Sequence, residues 1–383
     1  MATKQMIPIV VVVSAWCLMV PSLVLGAPAD DGVTVFGDAR GGLYGSRFEN
    51  RDGSLKEARD VRARLRVGVQ GAFSAQWRGT LRVAGHYSDE QTSARFTLHE
   101  YNDSRAFGRS TFDMANIQYT PDPKWAFTFG RMQTKFELEG VAKKSLDRND
   151  SPNIDIDFTD GFQVVRKMDG GWQIYGILQH NPDRGSTNVT RRPLDYTDNS
   201  TRQTLFIALQ NKAAKGAFVQ RSIDLTVIPD ALLVTGAATG PREDYYGLVG
   251  RMALRWPEVD RGTRFLWGLE VGYAPNTPQQ SALKLGGVER ADGMAWQTSF
   301  NLLDILPNHS IGLVLGKADA GWLISPDFRE NDRLAEIRYQ WKINKSFSLE
   351  SRVRERVELD KQTTAARRRA DTDYYLRLTY KFN

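Results

Sequence analysis

This chain of 383 residues has one cysteine, Cys17, inside the apolar run Met6 to Leu25, so nothing after that run can form a disulfide within the chain. Histidine is nearly as scarce, at four: His86, His99, His180 and His309. No His-Glu-x-x-His zinc pattern and no Gly-x-Ser-x-Gly elbow occurs, which leaves the familiar metallo- and serine-hydrolase chemistries without a signal. No metal or other cofactor is expected. Beyond Leu25 there is no apolar stretch long enough to cross a bilayer as a helix. Heptads, identical repeats and a domain boundary are missing too. The net charge of +6 is too small to argue for nucleic acid.

Lys4 followed by the apolar run and the small-residue segment VLGAPA reads as a secretory signal peptide, residues 1–29, cleaved after Ala29 or after Gly26. The remainder, 30–383, reads as one domain. A secreted chain without disulfides has to be stable through topology or size.

What is present is alternation. In the last thirteen residues, Tyr374, Leu376, Leu378, Tyr380 and Phe382 share one parity, while Tyr375, Arg377, Thr379 and Lys381 share the other. Period two means a strand, and its two faces must separate apolar from aqueous surroundings. The segment 61–70 repeats the pattern more strongly, with Val61, Ala63, Leu65, Val67 and Val69 opposite Arg62, Arg64 and Arg66. Similar segments recur along the chain, separated by spacers that alternate between short and long. Parity counting gives sixteen strands, with Ala231 to Asp244 as an outer loop. Strands of about ten residues suit a tilted bilayer crossing, and a soluble sandwich would have to bury arginines in series. The fold class is therefore all-β: a transmembrane antiparallel β-barrel of about sixteen strands, with short periplasmic turns and long extracellular loops.

The opening VTVFGDARGGLYG, the hairpin YTPDPKWAFTFGR and the aromatic terminal strand resemble the sixteen-stranded porins of Gram-negative outer membranes. Family members usually end on the aromatic itself, whereas here Asn383 follows Phe382. The resemblance implies an outer-membrane location, a third long loop folded into the lumen, trimerisation, and Tyr380 and Phe382 as the signal read by the barrel-assembly machinery. The expected surroundings are outer-membrane lipid and lipopolysaccharide. The expected cargo is small anionic or polar solutes.

Inward parity assembles a basic wall from Arg40, Arg62, Arg64, Arg66, Arg78, Arg82, Arg338, Lys342, Arg352, Arg354, Arg356, Arg377 and Lys381, with Arg251 and Arg255 further round. Arginine stays charged and offers a fixed fork of donors to carboxylates and phosphates. The long spacer 135–160 is acidic, with Glu137, Glu139, Asp147, Asp150, Asp155, Asp157 and Asp160. Folded inward, it is expected to set these acids across a constriction from the arginines and so create a transverse field. The competing reading makes the wall a set of salt-bridge ladders, since Glu336, Glu350 and Glu358 share the arginines' parity. The leading function is passive diffusion of small hydrophilic solutes with an anion preference. The alternatives are a channel preferring an anionic polymer or oxyanion, as in alginate-export or phosphate-selective barrels, and a non-conducting adhesive barrel. An enzyme is not expected.

Overall fold

A computed structural model describes residues 32–89, 95–96, 108–150, 156–181, 191–197, 201–260 and 262–382. The leader, His99, Asp155 and Asn383 lie outside the described residues. The strands are β1 (Val33–Glu49), β2 (Leu55–Ala72), β3 (Trp77–Ser88), β4 (Arg95–Phe96), β5 (Arg109–Asp122), β6 (Trp125–Met132), β7 (Thr159–Lys167), β8 (Trp172–His180) and β9 (Gln203–Asn211). They continue as β10 (Phe218–Leu233), β11 (Arg242–Asp260), β12 (Thr263–Tyr273), β13 (Met294–Leu306), β14 (His309–Ala318), β15 (Asp332–Lys342), β16 (Phe347–Glu358) and β17 (Ala370–Phe382). All but β4 pair antiparallel with the next, and β17 pairs back onto β1. The two-residue β4 adds to β5 in parallel, outside the ring. The result is a closed sixteen-stranded barrel with no free edge, the condition for a sheet in lipid.

Side-chain distribution is inverted relative to a soluble sheet. Leu65 is 49% exposed and Ile337 54%, whereas Arg64 is 1% exposed. An apolar belt of this extent is stable only against hydrocarbon. Short connections such as 123–124, 261–262 and 307–308 close one end, where Asp122 Oδ1 accepts hydrogen bonds from the Lys124 and Trp125 amides. Longer ones, including 133–158, 274–293 and 319–331, close the other. Two boundaries differ from the sequence expectation. β10 runs on to Leu233 through a register shift between Ile228 and Leu232, and β11 begins at Arg242, so the loop expected over Ala231 to Asp244 shrinks to 234–241. The segment PEVDRG, whose Pro, Asp and Gly are turn residues, is strand as far as Asp260, because β11 absorbs it with its register broken near Glu258.

The main apolar core lies inside the barrel. Leu146 from the connection 133–158, Leu194 from 191–197, and Trp322, Leu323, Ile324 and Phe328 from 319–331 pack on Tyr245, Val249, Val314 and Leu334 of the strands. Glycines make room for it. A Cβ on Gly272 would fall within 2.7 Å of the Trp322 ring, one on Gly268 within 3.0 Å of Leu138, and one on Gly316 within 2.7 Å of Phe328. A missing side chain in a strand marks where another group approaches closely.

Candidate functional site

Two walls face each other in the lumen. The first is built by β1, β2, β3, β15, β16 and β17, whose register brings inward residues side by side. Arg40 lies opposite Arg64, Asp38 opposite Arg66, Glu350 opposite Arg377, and Arg352 opposite Arg338. The ladder runs from Arg356 near the outer mouth to Arg66 lower in the barrel. Asp38 accepts from Arg66 (Nε, 2.7 Å) and Arg64 (3.2 Å), with Arg40 at 3.9 Å. Asp113 receives both arms of Arg82 at 2.8 Å. Asp60 pairs with Arg62 at 2.8 Å, and Glu350 accepts from Arg377 Nε at 3.1 Å. Asp373 gathers Arg352, Arg354 and Arg356, while Asp371 takes Arg356 at 3.1 Å and also Arg329. Glu336 sits between Arg338 (2.7 Å), Arg352 (4.0 Å) and Lys144 (2.9 Å).

Ion pairing along this wall is therefore extensive, as in the salt-bridge alternative, yet it is unequal. Arg40, Arg62, Arg64, Arg66, Arg82, Arg338, Arg352, Arg354, Arg356 and Arg377 face Asp38, Asp60, Asp113, Glu336, Glu350, Asp371 and Asp373, a surplus of three positive charges. Charges buried in a wall are tolerable only when paired and hydrogen-bonded, which explains the carboxylates. Arg78, Arg255, Lys342 and Lys381 are not part of this network. They are exposed near the end with the short turns and make no ion pair among the described residues. Arg251 belongs to the opposite wall.

The second wall, β10 to β14, is lined by glycines, apolar residues and buried polar groups that include Arg251, Asp224 and Glu270, and packed against it from inside the barrel are the described parts of the connection 133–158. Its Val141 amide donates to Asn301 Oδ1 (2.9 Å), its Leu146 amide to Glu270 (3.2 Å), and its Ser145 amide to Asp327 (3.0 Å). Trp322 Nε1 donates back to the Leu146 carbonyl at 2.9 Å. Phe136 packs on Tyr175 and Phe206, extending the cover to β8 and β9.

The acids of this segment do not form the opposing face that the sequence suggested. Asp147 is turned into the wall, 3.1 Å from Arg251, which also holds Asp224 at 2.7 Å and Glu270 at 2.5 Å. Asp150 bonds the Thr134 amide and hydroxyl and the Thr159 hydroxyl at 2.7, 2.8 and 2.9 Å. Asp160 belongs to β7 and pairs with Arg131. Glu139 meets Lys143 of its own loop at 3.7 Å, and the Asp157 carbonyl accepts from Gln133. Glu137 is half-buried, and burial pushes its carboxyl upward. Asp147 and Asp150 thus hold the segment in place instead of facing the arginine wall, and of the described acids of the segment Glu137 and Glu139 keep partial exposure. Lys144 crosses the gap to Glu336, and burial pushes its ammonium down to about 8 against the pull of Glu336 and Asp327.

Asp60, Asp371 and Asp373 stand on the inward parity that identified the arginines and are their partners, whereas Asp113 sits at the register shift of β5, where strict alternation counted from Ile117 would turn it outward. Sequence reasoning passed over these and also missed Trp322. The glycines Gly268, Gly272, Gly312 and Gly316, spaced by four on inward positions of β12 and β14, were the available signal of something packing there.

A closed sixteen-stranded barrel with an apolar exterior, a charged interior and an inward connection is the architecture of an outer-membrane channel. Residues 42–185, from the middle of β1 past β8, match the family model "Phosphate-selective porin O and P". No curated protein matches the sequence. Similar solved structures include OprB of Pseudomonas putida, 9% identical, with a TM-score of 0.59, covering 92% of this chain and 95% of that one. The channel DcaP of Acinetobacter baumannii is 14% identical, with a TM-score of 0.56 and coverage of 93% and 99%. An anion-selective porin from Comamonas acidovorans is 9% identical, with a TM-score of 0.55 and coverage of 92% and 99%. At such identities these structures speak for the fold. The family match covers residues 42–185 only, so the comparisons show a family likeness over that part and a common barrel fold over the whole chain.

Proposed function

We propose that the channel conducts small hydrophilic solutes by passive diffusion and prefers anions. The surplus of guanidiniums over carboxylates along one continuous wall carries this reading. Fixed positive charge in a narrow aqueous path raises the local concentration of anions and repels cations, with no chemistry required. Phosphate is the anion to test beside chloride, because the name of the matched family points to it and guanidinium forks match its oxygens. Maturation removes the leader 1–29, and the barrel sits in lipopolysaccharide as a homotrimer. The assembly machinery reads the last strand, where Tyr380 stacks on Phe347 at 4.7 Å and neighbours Phe382 at 5.8 Å.

The test is the zero-current potential of the mature protein in planar bilayers under a potassium chloride gradient. The wild type is expected to show discrete steps with anion preference, and Arg62→Ala/Arg64→Ala/Arg66→Ala to shift the potential toward cations, with phosphate blocking the wild type more strongly. Unchanged selectivity in the triple variant would reduce the wall to structural lining. Folded protein without conductance would remove the diffusion reading altogether.

A further inference from the structure

Carboxylates are spaced unevenly along the arginine wall. On β17 the inward positions run Asp371, Asp373, Tyr375, Arg377, Thr379 and Lys381; on β1 they run Asp38, Arg40, Gly42, Tyr44, Ser46 and Phe48. Tyr44 and Tyr375 are register partners. These two strands thus carry acids toward the mouth and lower down, with a pair of phenol rings between.

The two rings are 8% and 2% exposed, and their centroids lie 5.4 Å apart at a 45° tilt. Three guanidiniums cover them. Arg62 lies 4.9 Å from the centre of Tyr44, and Arg352 and Arg377 lie 4.4 and 4.8 Å from that of Tyr375. Arg62 and Arg377 flank Gly42 on either side in register, so two like charges are separated by a position without a side chain. A Cβ at Gly42 would lie 2.3 Å from the Leu376 carbonyl oxygen, which keeps that position bare. Each of these cations has a carboxylate partner to one side, Asp60 for Arg62, Asp373 for Arg352 and Glu350 for Arg377, and the rings meet them on the side where β1 and β17 place no acid between Asp373 and Asp38. An aromatic face within about 6 Å attracts a cation through its quadrupole and contributes no charge of its own.

We infer that Tyr44 and Tyr375 are positioning residues for selectivity: they gather Arg62, Arg352 and Arg377 at the middle of the wall without adding negative charge, and so sustain the anion preference there. A carboxylate in the same place would hold the arginines equally well and cancel one of them. The pair acts through the guanidiniums on passing anions such as chloride, phosphate and small carboxylates, and the inference rests on the anion-channel reading above.

The experiment compares two double variants in planar bilayers by their chloride-to-potassium permeability ratio. Tyr44→Phe/Tyr375→Phe keeps both π faces and is expected to keep the wild-type ratio. Tyr44→Leu/Tyr375→Leu keeps apolar bulk without the quadrupole and is expected to lower the ratio about two- to fivefold. A Leu pair with the wild-type ratio overturns the inference. So does a Phe pair that falls as far as the Leu pair, since the hydroxyls rather than the rings would then be responsible. If the double Leu barrel does not fold, judged by heat-modifiable migration, Tyr375→Leu alone is measured, and an unchanged ratio there counts equally against the pair. A wild type without anion preference overturns the proposed function and this inference together; a selective wild type indifferent to the Leu pair overturns the inference alone.

Discussion

The two walls of the lumen solve opposite problems with the same alternating strands. On β1 to β3 and β15 to β17 the inward parity is long and charged, each buried arginine is held by a carboxylate, and Gln133, Lys144 and Arg329 of the connecting segments reach Arg66, Glu336 and Asp371. On β11, β12 and β14 the inward parity is small, with Gly247, Gly268, Gly272, Gly312 and Gly316, and two connecting segments lay Leu138, Val141, Trp322, Ile324 and Phe328 onto it. Long side chains lie paired along their own wall, whereas bare positions receive groups from elsewhere. This lumen is therefore shaped as much by where the strands lack side chains as by where they carry charge.

The anchor of the covered wall is the place to break this comparison most completely. Arg251 holds Asp147, Asp224 and Glu270 in a site where its own side chain and the three acids are almost fully buried. Arg251→Met leaves three buried carboxylates without their cation, a loss of about 3–5 kcal/mol for a disrupted buried pair. The connection 133–158 is then expected to leave the wall, with a lower unfolding midpoint in detergent and a larger, noisier conductance. The equivalent change on the other wall, Arg64→Met, leaves Asp38 with Arg66 and Arg40 and is expected to cost less. Equal costs for the two variants would show that the walls are not organised differently.

Next in size is Trp322→Ala. Its ring is fully buried over Gly272, and truncating a large buried aromatic costs about 3–5 kcal/mol where the site cannot collapse. Part of that cost is local to 319–331, so the global midpoint should fall less than in Arg251→Met while proteolysis within 319–331 accelerates. A second change, Gly272→Leu, refills the space from the strand and is expected to recover part of the midpoint without restoring the loop. No gain from the second change would mean that the void under Trp322 is not the cause.

How much of this was legible beforehand follows from what period two can carry. The strand count, the closure of the last strand on the first and the inward side of Arg64, Arg338 and Arg377 all depend on alternation, which is local and repeated sixteen times. The paired acid at Asp373 was legible by the same rule, but Asp113 was not, because β5 breaks its register between Phe112 and Met114. The destination of Asp147 was not legible, because it is fixed by a partner 104 positions later on another strand. Loop residues have no period, and charge alone suggested that an acidic segment would face the arginines. Burial settled the matter differently: a carboxylate gains more from a guanidinium inside the wall than from one across water.

The smallest expected effect sharpens a bridge between the walls. Lys144 reaches Glu336 at 2.9 Å and Asp327 at 3.7 Å, and its folded-state value of about 8 lies below the ordinary lysine value of 10.5. Between those two pH values the unfolded chain keeps a proton that the folded chain has released, so stability gains a rising contribution as pH increases through that window. Below pH 8 the ammonium is charged in both states and the cost of burying it is fully present. Lys144→Met removes the titration, and Glu336 retains Arg338 at 2.7 Å. The difference in unfolding midpoint between wild type and variant is therefore expected to move in favour of the wild type from pH 8 to 10 and to stay flat below pH 7. Parallel curves throughout would mean that the ammonium is hydrated rather than buried, and that the cover stands off the arginine wall at this point instead of touching it.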